Sequence, residues 1–294
     1  MKKLFVGTAG WSYKDWIGSF YPKAQSSAFD WLEFYSRYFN CVEVNASYYT
    51  YINPHTVEGW IEKVSAKDDF EFVIKLHQDF THKRQFTQEH INAVTKNLDI
   101  LNNSYRFGGL LIQFPYSFAL NKENAEHVKD LVEIFSGYDK FIEVRHASWL
   151  IDRFTGFLSQ NKSSLCTIDQ PIIGNAVPFV PVQAGAHAYV RLHGRNEEGW
   201  KNSFNKMGKE QTYEQQSERY NYLYSPGELA EIESRVTEII DTVNKVFVIL
   251  NNHPKGNAVA NAFELLHLLS QRLKIPIPET TLKAYPRLAK MRTG

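Results

Sequence analysis

The hexapeptide FIEVRH (141–146) sets an acid and a base inside a stretch otherwise suited to a buried strand. Phe141, Ile142 and Val144 are strand formers, and a strand covered on both faces reads as a near-continuous apolar run. Glu143 and Arg145 break that run. The same interruption recurs in CVEVN (41–45), FVIKL (72–76), CTIDQ (166–170) and YVRLHG (189–194). Alternate side chains of a strand face the same way. Glu43 therefore shares a face with Cys41 and Asn45, Glu143 with Phe141 and Arg145, and Arg191 with Tyr189 and His193. The same counting groups Asp169 with Leu165 and Thr167. The opposite sets, Val42/Val44, Ile142/Val144, Val190/Leu192 and Cys166/Ile168, are apolar, as a face packed on helices requires. The polar sets are expected to point into the lumen of a closed barrel, at the carboxyl ends of its strands, where barrel enzymes build their sites. By this parity Cys41 faces in and Cys166 out, so no disulfide joins them.

Outward from these stretches, apolar β-branched runs predict strands near 4–8, 41–45, 70–76, 109–114, 140–146, 164–169, 187–193 and 245–251. Helical patterns fit 28–38, 54–65, 88–102, 122–135, 149–161, 227–242 and 257–273. Asn53-Pro54 and Ser225-Pro226 each set a capping residue before a proline at the first helical position, and Glu228 completes a capping box with Ser225. Eight strands alternating with helices, without a break in composition, predict one domain over 1–294: a TIM-type eight-stranded parallel (β/α) barrel. A doubly wound sheet would carry a GxGxxG turn after its first strand, and GTAGWSY (7–13) lacks that spacing. A long lid-like connection is expected at 195–226, and IPIPETTLKAYPRLAKMRTG (275–294) reads as a C-terminal tail wrapped on the barrel.

With 43% hydrophobic residues, 294 residues bury a full core. The net charge of +1 gives no field that would recruit nucleic acid or an acidic membrane. No apolar run approaches the roughly 20 residues that span a bilayer. MKKLFVGTAGW reads as a first strand rather than a leader. Two cysteines make no disulfide framework, which points to the cytoplasm.

The inward polar set supplies the candidate chemistry. Glu143, Glu43 and Asp169 are candidate acids or bases, a neighbouring cation holding one ionised and an apolar setting raising another's pKa. Lys75 is a candidate Schiff-base amine if burial or cations lower its pKa; a salt bridge to Glu43 is the plainer reading and the one favoured. Barrel glycosidases place acids at the ends of strands four and seven, where this chain has Gln113 and Arg191, which lowers that reading. Five histidines (His77, His82, His146, His193, His253) fall at or just after strand ends, but no HxH or HxxxH spacing appears. No cofactor is expected. A divalent metal has one defensible ligand set, His193 with Glu143 and Asp169.

Arg145 and Arg191 offer planar forks for phosphate or carboxylate. HGRN (193–196) and NNHPKGNA (251–258), with Lys255 and Gly256, follow strands seven and eight, where barrels often hold phosphate against a helix N-terminus. Aromatics crowd the loops: Trp11, Tyr13 and Trp16; Tyr48, Tyr49 and Tyr51; Tyr116 and Phe118; and Trp200, Phe204, Tyr213, Tyr220, Tyr222 and Tyr224 in the long connection. Such faces suit sugar rings or nucleobases. The alternative for the charged set is a ring of paired charges plugging the barrel, although a barrel built for stability alone would fill those layers with Val, Ile and Leu.

The segments GTAGWSYKDWIGSFYP (7–22), VEVNASYY (42–49), LIQFP (111–115), EVRHASW (143–149), YVRLHGRN (189–196) and FVILNNHPKGNAVANA (247–262) resemble, in order and across nearly the whole chain, the YecE-like family, the domain of unknown function seventy-two. The resemblance implies a TIM-type barrel and no particular activity. Its motif positions fall on Glu43, Asn45, Lys75, Gln113, Glu143, Arg145, Arg191, His193, Asn251 and Asn252.

The reading is a cytoplasmic barrel binding an anionic, ring-bearing small molecule, such as a nucleotide or phosphosugar, at its C-terminal face, with hydrolase or lyase chemistry. Glu143, Glu43, Asp169 and Lys75 are its candidate catalytic groups. Asn45, Gln113, Arg145, Arg191, His193, Asn251, Asn252, Trp11 and Tyr49 are its candidate binding groups. An endonuclease-like barrel acting on nucleic acid, and a non-catalytic small-molecule-binding protein, are the alternatives; the near-neutral charge disfavours nucleic acid.

Overall fold

The computed structural model describes residues 3–181, 184–205 and 212–293, without the side chains of Lys3, Phe204 and Asn205. Residues 206–211 of the expected 195–226 connection, the side chain of Phe204 and residue 294 of the expected tail lie outside the described set.

Eight parallel strands close in sequence order into a barrel: β1 Lys3–Ala9, β2 Cys41–Val44, β3 Glu71–Lys75, β4 Phe107–Gln113, β5 Lys140–Glu143, β6 Ser163–Asp169, β7 His187–Leu192 and β8 Lys245–Leu250. β8 pairs with both β7 and β1, so no strand edge is left open. The helices are α1 Trp31–Ser36, α2 Ala46–Tyr49, α3 Pro54–Lys63, α4 Gln78–Thr81, α5 Gln88–Asn103, α6 Lys122–Ile134, α7 Asp152–Gln160, α8 Glu197–Asn205, α9 Tyr213–Ser217, α10 Pro226–Ile240, α11 Asn257–Leu269 and α12 Glu279–Ala284. Among the described residues none lies between β6 and β7.

All eight expected strands are present. The boundaries differ where polar residues begin the loops: β2 stops at Val44 and β5 at Glu143, leaving Asn45 and Arg145 just beyond the strand ends. The caps form as expected. Asn53 accepts from the His55 N–H ahead of Pro54 in α3, and Ser225 and Glu228 close their capping box on α10. The turns α2 and α4, too short to show a helical period, were not expected. α11 ends at Leu269 because Gln271 and Arg272 take positive φ values of 56° and 60°. In the tail, Leu288 is fully buried and Ile275 bridges to Arg292.

Two apolar regions divide the core. The larger lies between the strands' outer face and the helices, with Val42, Val44, Ile142, Val190 and Leu192 in it, as parity predicted. The smaller fills the lumen and includes Phe5, Cys41, Val73, Leu111, Phe141, Tyr189 and Phe247. Phe141 stacks on Tyr189 at 4.3 Å and Phe5 on Phe247 at 4.7 Å. Gly109, with φ of 146°, makes room, since a Cβ there would meet the Phe141 ring at 2.3 Å. Beneath the aromatics, Lys245 Nζ donates to both oxygens of Glu71 at 2.8 Å.

One strand reverses the expected parity. Cys166 and Ile168 of β6 lie in the lumen, while Leu165 belongs to the helix-facing core. Ile168 is in register with Arg191 and Asp169 with Leu192, so Asp169 faces the helices. Both faces of β6 carry apolar residues, so its one charge alone does not mark the lumen side. That charge instead has a cation of its own on the outer side. Cys41 and Cys166 both face in, and both are free thiols.

Candidate functional site

Arg191 is the hub of the upper lumen. Its Nε donates to Glu43 Oε2 at 2.9 Å and its Nη2 to Glu43 Oε1 at 2.6 Å, while Nη1 donates to Glu143 Oε2. Tyr189 Oη donates to Glu43 Oε2 at 2.7 Å, and Arg145 Nε to Glu143 Oε1 at 2.9 Å. Glu43 and Glu143 are fully buried and Arg191 is 1% exposed. Parity brings these groups together: β2, β5 and β7 project Glu43, Glu143 and Arg191 at one height, and Arg145 reaches back from the loop after β5. Burial alone would raise the Glu143 carboxyl, but the guanidinium groups of Arg191 and Arg145 hold it well below the usual carboxylate range.

His193 is fully buried above this pair. Asn251 Nδ2 lies 2.9 Å from its Nδ1, and its Nε2 is 3.5 Å from Glu143 Oε1. An Asn251 amide donating to Nδ1 leaves the hydrogen on Nε2, directed at Glu143. Burial, with Arg191 and Arg145 close by, lowers its pKa to about 3, so the ring is neutral. It supports Glu143 and Arg145 from below the cavity rather than lining it.

Over this layer opens a cavity of about 310 Å³. Asn45, Lys75, Gln113, Arg145, Arg191 and Asn251 form its inner wall, with His253, and the exposed His82 borders it. Tyr13, Tyr48, Tyr49, Tyr116, Trp200, Tyr213, Tyr220 and Arg219 form its rim. The Arg145 guanidinium sits 5.5 Å from the Trp200 ring centre, and that of Arg219 lies 4.7 Å from Tyr220. Burial opposes ionisation of Tyr220, yet Arg219, Arg145 and Arg191 lower its pKa below the ordinary value. Asn45 Oδ1 and Arg219 Nε are buried without a hydrogen-bond partner among the described residues.

Lys75 differs from the favoured expectation. It makes no salt bridge to Glu43; its Nζ lies 4.3 Å from the centre of the Tyr48 ring. Arg191 already occupies both oxygens of Glu43, which leaves the amine without an acid of its own. Burial, then the charge of Arg191, lowers its pKa to about 7.

Other expected positions are diverted. Asp169 does not join Glu43 and Glu143. Arg195 Nε donates to both of its oxygens at 3.0 Å, and Tyr224 Oη donates to Oδ2. The one defensible metal set, His193 with Glu143 and Asp169, is therefore split across the strand wall. Among the described residues no group of three or more His, Cys, Asp or Glu is placed to hold a metal. Asn252 is fully buried and donates to Tyr222 O and Asn261 Oδ1, both at 2.9 Å, away from the cavity. Trp11 packs edge-on against Trp60, and Tyr13 takes the place at the rim. The expected anion site near Lys255 is filled by the chain itself, since the Lys255 N–H donates to Asp15 Oδ2 at 2.7 Å.

His82, Gln216, Ser217 and Arg219 were not singled out as site residues from the sequence. Arg219 sits in a short 3₁₀ turn, Glu218–Tyr220. Its one signal is a cation within the aromatic-dense connection after β7.

The profile of the family described as "Protein of unknown function DUF72" matches residues 5–284. Among curated proteins, UPF0759 protein YunF of Bacillus subtilis (strain 168) is 28% identical over 278 residues, spanning 90% of this chain and 94% of that protein. UPF0759 protein YecE of Escherichia coli (strain K12) is 30% identical over 117 residues, 39% of each chain. Among solved structures, the DUF72 family protein TM1631 of Thermotoga maritima MSB8 aligns with a TM-score of 0.78 at 29% identity, covering 91% of this chain and 99% of that one. The DUF72 family protein EF0366 of Enterococcus faecalis V583 aligns at 0.77 with 26% identity, covering 91% and 95%.

Proposed function

The chain belongs to the DUF72 family, and from its mouth we propose that it is an enzyme of hydrolase or lyase type acting on an anionic, ring-bearing small molecule. One observation carries this reading. Lys75, Arg145, Arg191 and Arg219 all line the cavity, and among the described residues its lining holds no carboxylate. Glu43 and Glu143 lie beneath and pair with Arg191 and Arg145, which leaves Arg219 and Lys75 as the lining cations without a carboxylate partner among the described residues. The aromatic rim gives flat faces for a ring, and the unpartnered Asn45 Oδ1 and Arg219 Nε are polar groups a ligand would satisfy. The volume, about 310 Å³, suits a small molecule rather than a duplex.

The acids are not the mobile proton carriers in this arrangement. Glu143 is held well below the usual carboxylate range by Arg191 and Arg145, and Glu43 is occupied by Arg191 and Tyr189. They fix the arginines, and the group poised near neutrality is Lys75, whose pKa is about 7.

Calorimetric titration with inorganic phosphate, a nucleoside monophosphate and a hexose phosphate tests the reading. Phosphate-bearing ligands are expected to bind, the ring-bearing ones more tightly, and Arg145→Ala with Arg219→Ala to weaken all of them. Equal affinity in wild type and the double variant would remove the proposal. Turnover of a bound ligand, lost in Lys75→Met, separates an enzyme from a carrier.

A further inference from the structure

We propose that Lys75 is a nucleophile that forms a Schiff base with a carbonyl carried by the anionic substrate, so that the substrate class is an aldehyde or ketone bearing a phosphate or carboxylate. The inference rests on the anion-binding reading of the same cavity. It adds the reactive group the substrate must own.

The geometry of the amine carries it. β3 ends at Lys75 and delivers its side chain to the cavity wall. Lys75 is half-buried, and a lysine drawn away from water ordinarily has an acid partner. Here every close acid is engaged elsewhere. Glu43 on β2 holds Arg191 through both oxygens, and Glu143 on β5 holds Arg191 and Arg145. Tyr48 on α2 offers a ring face rather than an oxygen, and His82, past α4, stands edge-on to that ring. The charged groups acting on Lys75 are Arg191 and Arg145, which disfavour its ammonium, and Glu43 and Glu143, which favour it. The neutral amine keeps a lone pair and meets the cavity directly.

A carbonyl ligand would use this arrangement. The Lys75 nitrogen forms a bond to the carbonyl carbon, and the carbonyl oxygen departs as water with the two amine hydrogens. The imine nitrogen then takes one proton from solvent at the open mouth. The resulting iminium is a cation near Glu143, whose carboxyl is held ionised by Arg191 and Arg145 and favours it. It draws electrons from the adjacent carbon, as cleavage or proton removal beside a carbonyl requires. Arg145 and Arg219 remain for the anionic end. Of the two ligand types first considered, a phosphosugar has the needed carbonyl in its open-chain form, whereas a nucleotide has its sugar carbon locked in a glycosidic bond.

Pyridoxal 5′-phosphate is a suitable probe, being an aldehyde, a ring and a phosphate in one molecule. The full-length protein is incubated with a limiting amount at pH 7, reduced with borohydride, and mapped by peptide mass spectrometry with and without inorganic phosphate. At that pH about half of an amine with pKa near 7 is neutral, against about 0.04% of an ordinary lysine. Lower basicity trims that advantage, and Lys75 is expected to be labelled on the order of tenfold to a hundredfold faster than surface lysines. The label should rise through pH 7 and level above it, be suppressed by phosphate, and disappear in Lys75→Arg. Labelling of Lys75 no faster than of surface lysines, while phosphate still binds, overturns the Schiff-base inference and leaves the anion site standing. Failure of both labelling and phosphate binding removes the two readings together. The wild-type peptide map decides the matter even if a variant folds poorly.

Discussion

Replacing Arg191 with methionine removes the charge on which the upper lumen is built. Three hydrogen bonds from one guanidinium disappear, two to Glu43 and one to Glu143. Their consequences differ. Glu143 keeps Arg145 on Oε1. Among the described residues Glu43 keeps the Tyr189 hydroxyl on Oε2, and its Oε1 loses its Arg191 donor. Both carboxylates are fully buried, so water cannot replace what is lost without disturbing the barrel. Breaking a buried pair by deleting one partner typically costs about 3–5 kcal/mol, because the other charge is left uncompensated. We expect Arg191→Met to fall in that range in guanidinium denaturation followed by tryptophan fluorescence, with an unchanged dependence on denaturant. Glu43→Gln combined with Arg191→Met should return about 2 kcal/mol, since the orphaned charge is then gone. A single variant within about 1 kcal/mol of wild type, or a double variant no better than the single, would refute the claim that paired charges hold this layer together.

Three further outcomes follow from neighbouring groups. Lys75 has a folded pKa of about 7, below its unfolded value near 10.4, so its burial penalty is full below pH 7 and fades as the pH rises toward 10. Lys75→Met should stabilise the fold by about 1–2 kcal/mol at pH 6 and by little at pH 10, read as a shift in denaturation midpoint. His193 has a folded pKa of about 3 against about 6.5 unfolded, so the unfolded chain binds the extra proton and stability falls as the pH drops from 6.5 toward 3. Replacing it with asparagine should flatten that slope by up to about 1.4 kcal/mol per pH unit, and an unaltered slope would count against the assignment. Asp169→Asn weakens the clamp on Arg195 and is expected to cost about 1–3 kcal/mol of stability while leaving phosphate binding at the wild-type level by calorimetry.

The barrel was legible because hydrophobic strand patterning survives its interruptions. In FIEVR (141–145) and YVRLHG the off-face residues are uniformly apolar, so the polar face had only one place to go. The pattern in CTIDQ lacked that asymmetry. With Cys166 and Ile168 on one side and Leu165 on the other, only Thr167 and Asp169 distinguished the faces, and Asp169 answers to Arg195, beyond β7. The missing salt bridge of Lys75 was hidden for a similar reason. Its nearest acid is known from parity, but the competition won by Arg191 depends on where the chain between β2 and β7 brings the guanidinium. Arg219 and the contributions of α9 come from the long connection, whose path over the mouth no local periodicity describes. Asn252 sits one residue, and Trp11 two, from positions that do line the cavity, a spacing that decides a side chain's direction entirely in extended backbone and only loosely past its end.

The Glu71–Lys245 pair and the aromatic layer above it close the cylinder from below. If Lys75 reacts as proposed, the cavity over the lumen gives it a mouth framed, among the described residues, by tyrosines and Trp200. A leaving fragment therefore queues behind any molecule already lodged there, and an occupant bulky enough to span the doorway would obstruct arrival and escape alike.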